Sequence, residues 1–263
     1  MNKSKIVFLS ILLAALSVKV SAQNQSIIND GKVWASVYQQ RAAEYKALCF
    51  QAYNAARMSL DKAIAKHGKK PLAVVTDLDE TVLDNSPLDA ARAVNNQNFD
   101  LAAWKQWTAQ GIADTVPGAP SFFKYAASKG VAVFYITNRD EDERAGTLKN
   151  LKRYHMPFAD DAHLLLRNKT SSKEERRQQV LKKYNIAVLC GDNLPDFDAV
   201  YDGNFNEADR TAATEKLRKE FGSRYIVIPN PTYGDFETAL FKNQKLTLKQ
   251  KDSVIRAVLK VAN

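Results

Sequence analysis

Two carboxylates stand two residues apart just after a short apolar run, where Asp77 and Asp79 follow Leu72–Val75. Residues two apart in extended chain lie on the same face, so both side chains can face one cavity while Leu78 points away. One carboxylate could then attack an electrophile while the other transfers a proton. Such a pair is also common in solvated turns, and its position after a buried strand is what favours catalysis.

A second acidic cluster, with Asp192 and Asp196, follows another apolar run, Ile186–Leu189. If it lay beside Asp77, the like charges would repel strongly unless a cation sat among them. Carboxylate oxygens are hard ligands, and no Cys or His is placed to supply soft ones, so the pattern indicates Mg²⁺ rather than zinc. The alternative is an aspartate-capped turn that enters a helix, which would explain Asp196 but leave the charges uncompensated.

Two further features suit a phosphate group. Thr137 and Asn138 follow a third apolar run and offer a hydroxyl and free backbone N–H groups. Lys173, near the start of a predicted helix, could neutralise a transferring phosphoryl group. Each feature alone is weak evidence, because threonine often ends strands and exposed lysine is ordinary.

Short apolar runs that alternate with amphipathic stretches predict the elements that would position these residues. The pattern is typical of an α/β fold with a Rossmann-like parallel sheet and helices on both faces. The predicted strands are Leu72–Val75, Val131–Ile136, Leu164–Leu166, Ile186–Leu189 and Tyr225–Ile228. The predicted helices of this region are Ser121–Lys129, Lys173–Lys183 and Leu246–Val261. Ligands bind at the carboxyl ends of such strands, so the polar residues that follow them should converge.

The N-terminus predicts export. Lys3 and Lys5 precede the apolar run Ile6–Leu16, and small residues up to Ala22 offer a cleavage site. This pattern predicts that residues 1–22 are a cleaved signal peptide. The run is shorter than the roughly 20 residues of a spanning helix. We therefore expect a secreted or periplasmic protein without a stable membrane anchor.

Helical spacing of apolar residues from Gly31 to His67 predicts an N-terminal helical arm, a small subdomain assigned to residues 23–70. Residues 71–263 then form the main domain, which ends in a C-terminal helix. The chain is long enough for one such α/β domain, and a homodimer is one option for its assembly.

Composition excludes several alternatives. The formal charge of +9 is spread over scattered basic residues, which favours an ordinary solvated surface over the binding of a nucleic acid polymer. The two cysteines, Cys49 and Cys190, fall in a predicted helix and strand and are expected to be free and buried. The three histidines, His67, His155 and His163, follow no strand end, which excludes histidine-based phosphoryl transfer.

The motifs resemble, in order and spacing, those of the haloacid dehalogenase superfamily, in the branch with four aspartates at the site. They are Asp77-Leu78-Asp79-Glu80-Thr81, Thr137, Lys173 and Gly191-Asp192-Asn193 with Asp196. Within that branch, 82–87 and 135–139 look like the class C acid phosphatases, which include bacterial lipoprotein 5′-nucleotidases. The resemblance covers most of residues 30–263. It departs at the N-terminus, where the lipid-attachment cysteine is missing.

The resemblance implies a haloacid dehalogenase-like phosphatase domain over 71–263 and a role for each acid. Asp77 would be the nucleophile that forms an aspartyl phosphate, and Asp79 the general acid and then the general base. Mg²⁺ would be held by Asp77, Asp192 and the backbone carbonyl of Asp79. Asp196 would orient Lys173 or the water around the metal.

The resemblance also implies a substrate site for phosphate monoesters. Thr137, Lys173 and the backbone of Asn138 would hold the phosphate, and Trp104 and Tyr233 match positions that form an aromatic slot for the leaving group. Both aromatic residues could instead belong to the core. The segments 85–121 and 139–173 leave no room for an inserted lid domain, so an open site with a broad substrate range is expected.

Three functions follow from these expectations. The first is a Mg²⁺-dependent acid phosphatase with 5′-nucleotidase activity. The second is a phosphotransferase of the same fold that passes phosphate to an alcohol, and the third is a non-enzymatic binding protein. Retention of Asp77, Asp79, Lys173 and Asp192 argues against the third.

Overall fold

The structure is a computed structural model that describes residues 26–66, 68–203 and 206–262. The predicted signal peptide lies outside these residues. The helices are α1 (Ile27–Arg41), α2 (Ala43–Ala65), α3 (Ser86–Val94), α4 (Leu101–Gln110), α5 (Ala119–Ser128), α6 (Arg144–Arg153), α7 (Glu174–Lys183), α8 (Glu207–Lys216), α9 (Asp235–Leu240) and α10 (Leu248–Val258). The strands are β1 (Leu72–Thr76), β2 (Leu83–Asp84), β3 (Asp114–Thr115), β4 (Ala132–Ile136), β5 (Leu164–Leu165), β6 (Asn185–Gly191) and β7 (Tyr225–Val227).

A parallel five-stranded sheet forms the centre of the fold, with strand order β5-β4-β1-β6-β7. The chain runs outward from β1 in one direction, returns to β6 on its other side, and so makes a doubly wound sheet. Helices pack on both faces, which confirms the predicted α/β class. Each of the five predicted strands is present, with ends that differ by up to two residues. The pair β2 and β3, which was not predicted, forms a separate antiparallel ribbon.

Side chains alternate between two hydrophobic cores along each central strand. Val74 and Val133 belong to the core on one face of the sheet, whereas Val75, Phe134 and Ile136 belong to the core on the other. This period of two is the expected property of a strand that is covered on both sides. The runs therefore read as continuously apolar in the sequence.

The predicted N-terminal arm consists of two helices, because the chain is extended at Ala42, where ψ is 129°. On α2, Tyr45, Cys49 and Leu60 are buried in the same core as one face of the sheet. This helix therefore covers the sheet, although the division of the chain near residue 70 stays a prediction. Cys49 and Cys190 are both buried and free, as predicted.

Two helices that the sequence analysis did not predict, α3 and α4, occupy the segment between β2 and β3. Asp100 caps α4, since its Oδ1 accepts a hydrogen bond of 2.7 Å from the backbone N–H of Ala103. Helix α4 packs closely against α6 at Gly146. A Cβ atom there would lie 2.3 Å from the carbonyl oxygen of Thr108 and 2.8 Å from Cα of Ala109. The missing side chain is what lets the two helices meet.

Replacing Gly146 by Ala should therefore destabilise the protein. An alanine ordinarily improves a helix interior by up to about 1 kcal/mol, but here the methyl group meets backbone, and overpacking typically costs about 1–3 kcal/mol. Urea denaturation should show a lower free energy of unfolding. The control is Gly31→Ala in α1, where a Cβ meets nothing within 4 Å. A Gly146→Ala protein as stable as Gly31→Ala would show that the helices do not meet this closely.

Candidate active site

The first acidic motif forms a tight loop at the end of β1. Leu78 is fully buried in the core, and its carbonyl accepts hydrogen bonds of 2.8 Å from the backbone N–H groups of Val82 and Leu83. Asp77 and Asp79, on either side of Leu78, both line the same cavity. The alternation predicted for this motif is thus present in the structure.

Lys173 connects the first acidic motif to the second. Its ammonium group donates a hydrogen bond to Oδ1 of Asp77 and another, of 2.6 Å, to Oδ1 of Asp196. All three side chains are nearly buried, with 6% of Lys173, 10% of Asp77 and 6% of Asp196 exposed. One positive charge therefore lies between two carboxylates, away from most of the solvent.

Asp192 contacts only neutral groups among the described residues. Its Oδ1 accepts a hydrogen bond of 3.1 Å from the hydroxyl of Thr81, and its Oδ2 accepts one of 2.9 Å from the amide of Asn230. Thr81 is itself fixed from below, because the hydroxyl of Tyr53 on α2 donates to its carbonyl at 2.5 Å. The helical arm thus supports the acidic site.

Gly191 brings the two acids of the second motif together. A Cβ at this position would lie 2.4 Å from Cβ of Asp196, so only glycine fits. Asp196 also accepts a hydrogen bond of 3.0 Å from the backbone N–H of Asn193, which closes the turn after β6. Asp196 therefore takes part in the turn, which Asn193 caps, and the same residue also contacts Lys173.

Burial controls the charge of this cluster. It raises the pKa of Asp77 to about 7, although the neighbouring Lys173 acts in the opposite direction. Burial and the nearby charges of Asp196 and Asp77 raise the pKa of Asp192 well above its usual range. Burial alone would lower the pKa of Lys173, but Asp196 and Asp77 outweigh it and raise that pKa.

The carboxylates fit a divalent cation. Oxygen atoms of Asp77, Asp192 and Asp196 lie within 4.8 Å of one another, which is the spacing of ligands around one ion. Lys173 is the one ammonium group in contact with them among the described residues, so negative charge is in excess. A set of carboxylate oxygens without Cys or His suits a hard ion such as Mg²⁺.

Thr137 and Asn138 follow β4 and are held by a residue that the sequence analysis missed. Arg176 on α7 donates at 2.5 Å to the carbonyl of Thr137 and at 2.8 Å to Oδ1 of Asn138. Thr137 is fully buried, and Arg176 is 2% exposed. The available signal was spacing, since Arg176 lies three residues after Lys173 and on the same side of a helix.

The site opens into a cavity of about 720 Å³ at the carboxyl edge of the sheet. Eight of the nine predicted site residues line it, and the ninth, Thr137, is fully buried. They are Asp77, Asp79, Trp104, Asn138, Lys173, Asp192, Asp196 and Tyr233. The expected convergence at the strand ends is therefore found. Neither of the two described histidines, His155 and His163, lines the cavity.

The outer wall of the cavity includes residues from both ends of the described chain. Ile28 and Lys32 of α1 and Lys251 of α10 line it, so both ends of the described chain border the cavity. The side chain of Asp252 accepts hydrogen bonds of 2.8 Å from the hydroxyl of Ser26 and of 3.3 Å from the backbone N–H of Ile28. The terminal helices, without an inserted lid domain, form this wall.

Trp104 and Tyr233 both belong to the cavity wall. The ring of Trp104 is partly exposed and packs near Phe99, with ring centroids 6.4 Å apart. Tyr233 is also partly exposed, and its hydroxyl donates a hydrogen bond to the buried carboxylate of Glu80. Neither residue is part of the two hydrophobic cores.

The chain belongs to the HAD superfamily, subfamily IIIB (Acid phosphatase), whose sequence profile matches residues 5–236. It is similar over most of its length to the class C acid phosphatase from Bacillus anthracis. The two are 38% identical, with a TM-score of 0.85, over 90% of this chain and 99% of that one. The same enzyme with tungstate bound gives 38% identity and a TM-score of 0.84, over 89% and 99% of the two chains.

Two plant proteins are more distant relatives. Acid phosphatase 1 of Solanum lycopersicum is 28% identical over 167 residues, which is 60% of this chain. The stem 31 kDa glycoprotein of Glycine max is 25% identical over 162 residues, which is 59% of this chain. The matched region spans 57% of the length of each plant protein. Within the described residues, no helix is both long and apolar enough to cross a membrane.

Proposed function

We propose that this protein is a secreted, Mg²⁺-dependent acid phosphatase that hydrolyses phosphate monoesters, including nucleoside 5′-monophosphates, through an aspartyl phosphate. The observation that supports it best is the buried cluster in which Lys173 contacts both Asp77 and Asp196, with Asp79 and Asp192 lining the same cavity. Membership of the acid phosphatase family points to the same reaction.

Asp77 is the nucleophile in this proposal. One of its carboxylate oxygens attacks phosphorus and forms a new oxygen–phosphorus bond, while the bond to the leaving oxygen breaks and Asp79 gives that oxygen a proton. Water then attacks the aspartyl phosphate, Asp79 takes a proton from it, and phosphate leaves as the bond to Asp77 breaks. Asp79 therefore ends each cycle in the state in which it began.

Lys173 and the residues after β4 hold the phosphoryl group. The ammonium of Lys173 offsets negative charge on the nucleophile and on the transferring oxygens. Asn138 lines the cavity, and Thr137, which is fully buried, precedes it at the end of β4. The Bacillus anthracis enzyme has been solved with tungstate bound, and tungstate, like phosphate, is a tetrahedral oxyanion, which supports an oxyanion-binding site in this chain by analogy.

Asp77, Asp192 and the backbone carbonyl of Asp79 would hold Mg²⁺, and Asp196 lies close enough to orient the groups around it. When bound, the ion supplies positive charge that lowers the repulsion between the nucleophile and the phosphate. The excess of buried carboxylates supports this requirement.

Nucleoside monophosphates are proposed because aromatic faces stack on any base without selecting one. Trp104 and Tyr233 lie in the wall of a cavity that is large enough for a nucleotide. Export is proposed from the sequence alone. It is supported by the N-terminal lysines, the short apolar run and the small residues before Gln23.

Asp77→Asn should abolish turnover. The amide keeps the shape of the side chain but supplies no nucleophile, so phosphate release should fall by at least about a thousandfold, or roughly 4 kcal/mol of barrier. The measurement is kcat on a nucleoside monophosphate with Mg²⁺ present. Asp161→Asn, at a side chain that is 77% exposed, is the control and should keep full activity. More than a few per cent of wild-type turnover in Asp77→Asn would show that the nucleophile is another residue.

Trp104→Ala tests the proposed base stacking. The stacking of a base on one aromatic side chain contributes about 1–3 kcal/mol, and its loss should lower kcat/KM for a nucleoside monophosphate by the corresponding factor. Glycerol phosphate, which has no base, should be hydrolysed almost as before. Trp34→Ala removes a 73% exposed tryptophan away from the cavity and should affect neither substrate. Equal losses on both substrates in Trp104→Ala would mean that the ring supports the site without stacking on a base.

A further inference from the structure

Arg139 follows Asn138 at the end of β4 and uses its guanidinium group mainly on Asp79. Nε donates to both carboxylate oxygens, at 3.1 and 3.2 Å, and Nη2 donates to Oδ1 at 2.6 Å. The remaining nitrogen of the guanidinium group, Nη1, donates at 3.0 Å to the hydroxyl of Thr147 on α6. The side chain of Arg139 is 1% exposed.

Asn85 makes a second polar contact with Asp79. Its Nδ2 donates to Oδ1 of Asp79 at 2.9 Å. Asn85 is itself fixed, because its Oδ1 accepts a bond of 2.8 Å from the indole N–H of Trp107 and its backbone N–H donates at 2.7 Å to Glu80. Within the described part of the chain, Oδ1 of Asp79 therefore accepts bonds from two residues, whereas Oδ2 accepts only the 3.2 Å contact from Arg139.

These contacts decide which oxygen of Asp79 is available to a substrate. A planar guanidinium group that bonds both oxygens fixes the plane of the carboxylate as well as its position. With Oδ1 engaged from two sides, Oδ2 is the oxygen with capacity left for proton exchange in the cavity. Proton transfer needs a heavy-atom distance of about 2.6–3.2 Å, so a rotated carboxylate would not reach the leaving oxygen.

Arg139 is poorly placed to bind phosphate itself. Its guanidinium group is almost completely buried, and its three nitrogen atoms already donate to Asp79 and Thr147. Its Cζ lies 5.7 Å from the centroid of the Trp104 ring, so an aromatic residue of the cavity wall packs beside it. Any effect of Arg139 on the reaction should therefore act through Asp79.

We propose that Arg139 is the positioning residue for proton transfer, holding Asp79 so that Oδ2 faces the leaving group. The proposal rests on the proposed function, in which Asp79 gives a proton to the leaving oxygen. A basic alkoxide needs that proton to depart, whereas the weakly basic p-nitrophenolate departs without it. Loss of Arg139 should therefore harm alkyl phosphates much more than p-nitrophenyl phosphate.

The test compares Arg139→Met and Arg139→Lys with the wild type on glycerol phosphate and p-nitrophenyl phosphate. The readout is the ratio of kcat/KM for glycerol phosphate to kcat/KM for p-nitrophenyl phosphate. The constant kcat/KM reports the first phosphoryl transfer and excludes the later hydrolysis step that both substrates share. Arg139→Met should lose at least about tenfold more on glycerol phosphate, out of the roughly 10²–10⁴-fold that general acid catalysis contributes. Arg139→Lys keeps the positive charge but lacks the planar guanidinium group that bonds both oxygens of Asp79, so it should recover only part of this loss.

Asp79→Asn and the double variant Asp79→Asn/Arg139→Met complete the design. Asp79→Asn should itself discriminate between the two substrates, and adding Arg139→Met should then cause no further discrimination. Absence of discrimination in Asp79→Asn would contradict the proposed function. Discrimination in Asp79→Asn together with equal losses on both substrates in Arg139→Met would leave the proposed function intact and overturn the role of Arg139.

Thr147→Val keeps the test decisive if Arg139→Met does not fold. This nearly isosteric change removes only the hydroxyl that accepts the bond from Nη1 of Arg139, at a fully buried position. Thr147→Val should lower the ratio, as Arg139→Met does, but by a smaller factor. The midpoint of thermal unfolding of the variant is measured as a control for stability. An unchanged ratio in a folded Thr147→Val protein, together with the wild-type ratio in Arg139→Lys, would show that charge alone is needed and that positioning is not.

Discussion

The contact of one ammonium group with two buried carboxylates is the interaction on which the site depends. Lys173 bonds Asp77 and Asp196, while Asp192 has only neutral partners among the described residues. Taking charges out of water is costly, and one cation does not compensate three carboxylates. Burial therefore raises the pKa values of Asp77 and Asp192. A divalent cation would restore the ionised state that a nucleophile needs.

The parallel sheet makes this arrangement possible, because it brings residues distant in sequence to the ends of neighbouring strands. β1 and β6 lie side by side, so their acidic motifs meet, and Gly191 removes the side chain that would keep Asp196 away. Support comes from beneath through Tyr53 and Thr81, and from the β4 end through Arg139. The geometry of the acids thus depends on rigid elements on several sides, as a preorganised electrostatic site requires.

The sequence predicted the parts of the site that follow local rules. Acids directly after apolar runs indicated Asp77, Asp79 and Asp192, because strand ends in a parallel sheet share one edge. The partners of Asp79 could not be predicted in the same way, since the contact with Arg139 joins residues 60 positions apart. The outer wall of the cavity was not predicted for a similar reason. The contact between Ser26 and Asp252 joins residues 226 positions apart, and no periodicity in the sequence predicts such a contact.

The requirement of the buried acids for a divalent cation is tested most directly by calorimetric titration of Mg²⁺ into chelator-treated protein. A carboxyl whose pKa is raised to about 7 holds its proton below that pH and must release it when a cation binds. We expect one Mg²⁺ per chain, with proton release near pH 6, less near pH 8, and affinity that increases between them. Buffers of different ionisation enthalpy report the released protons. Absence of binding, or binding without proton release near pH 6, would show that the buried acids do not form a cation site that holds a proton before the ion binds.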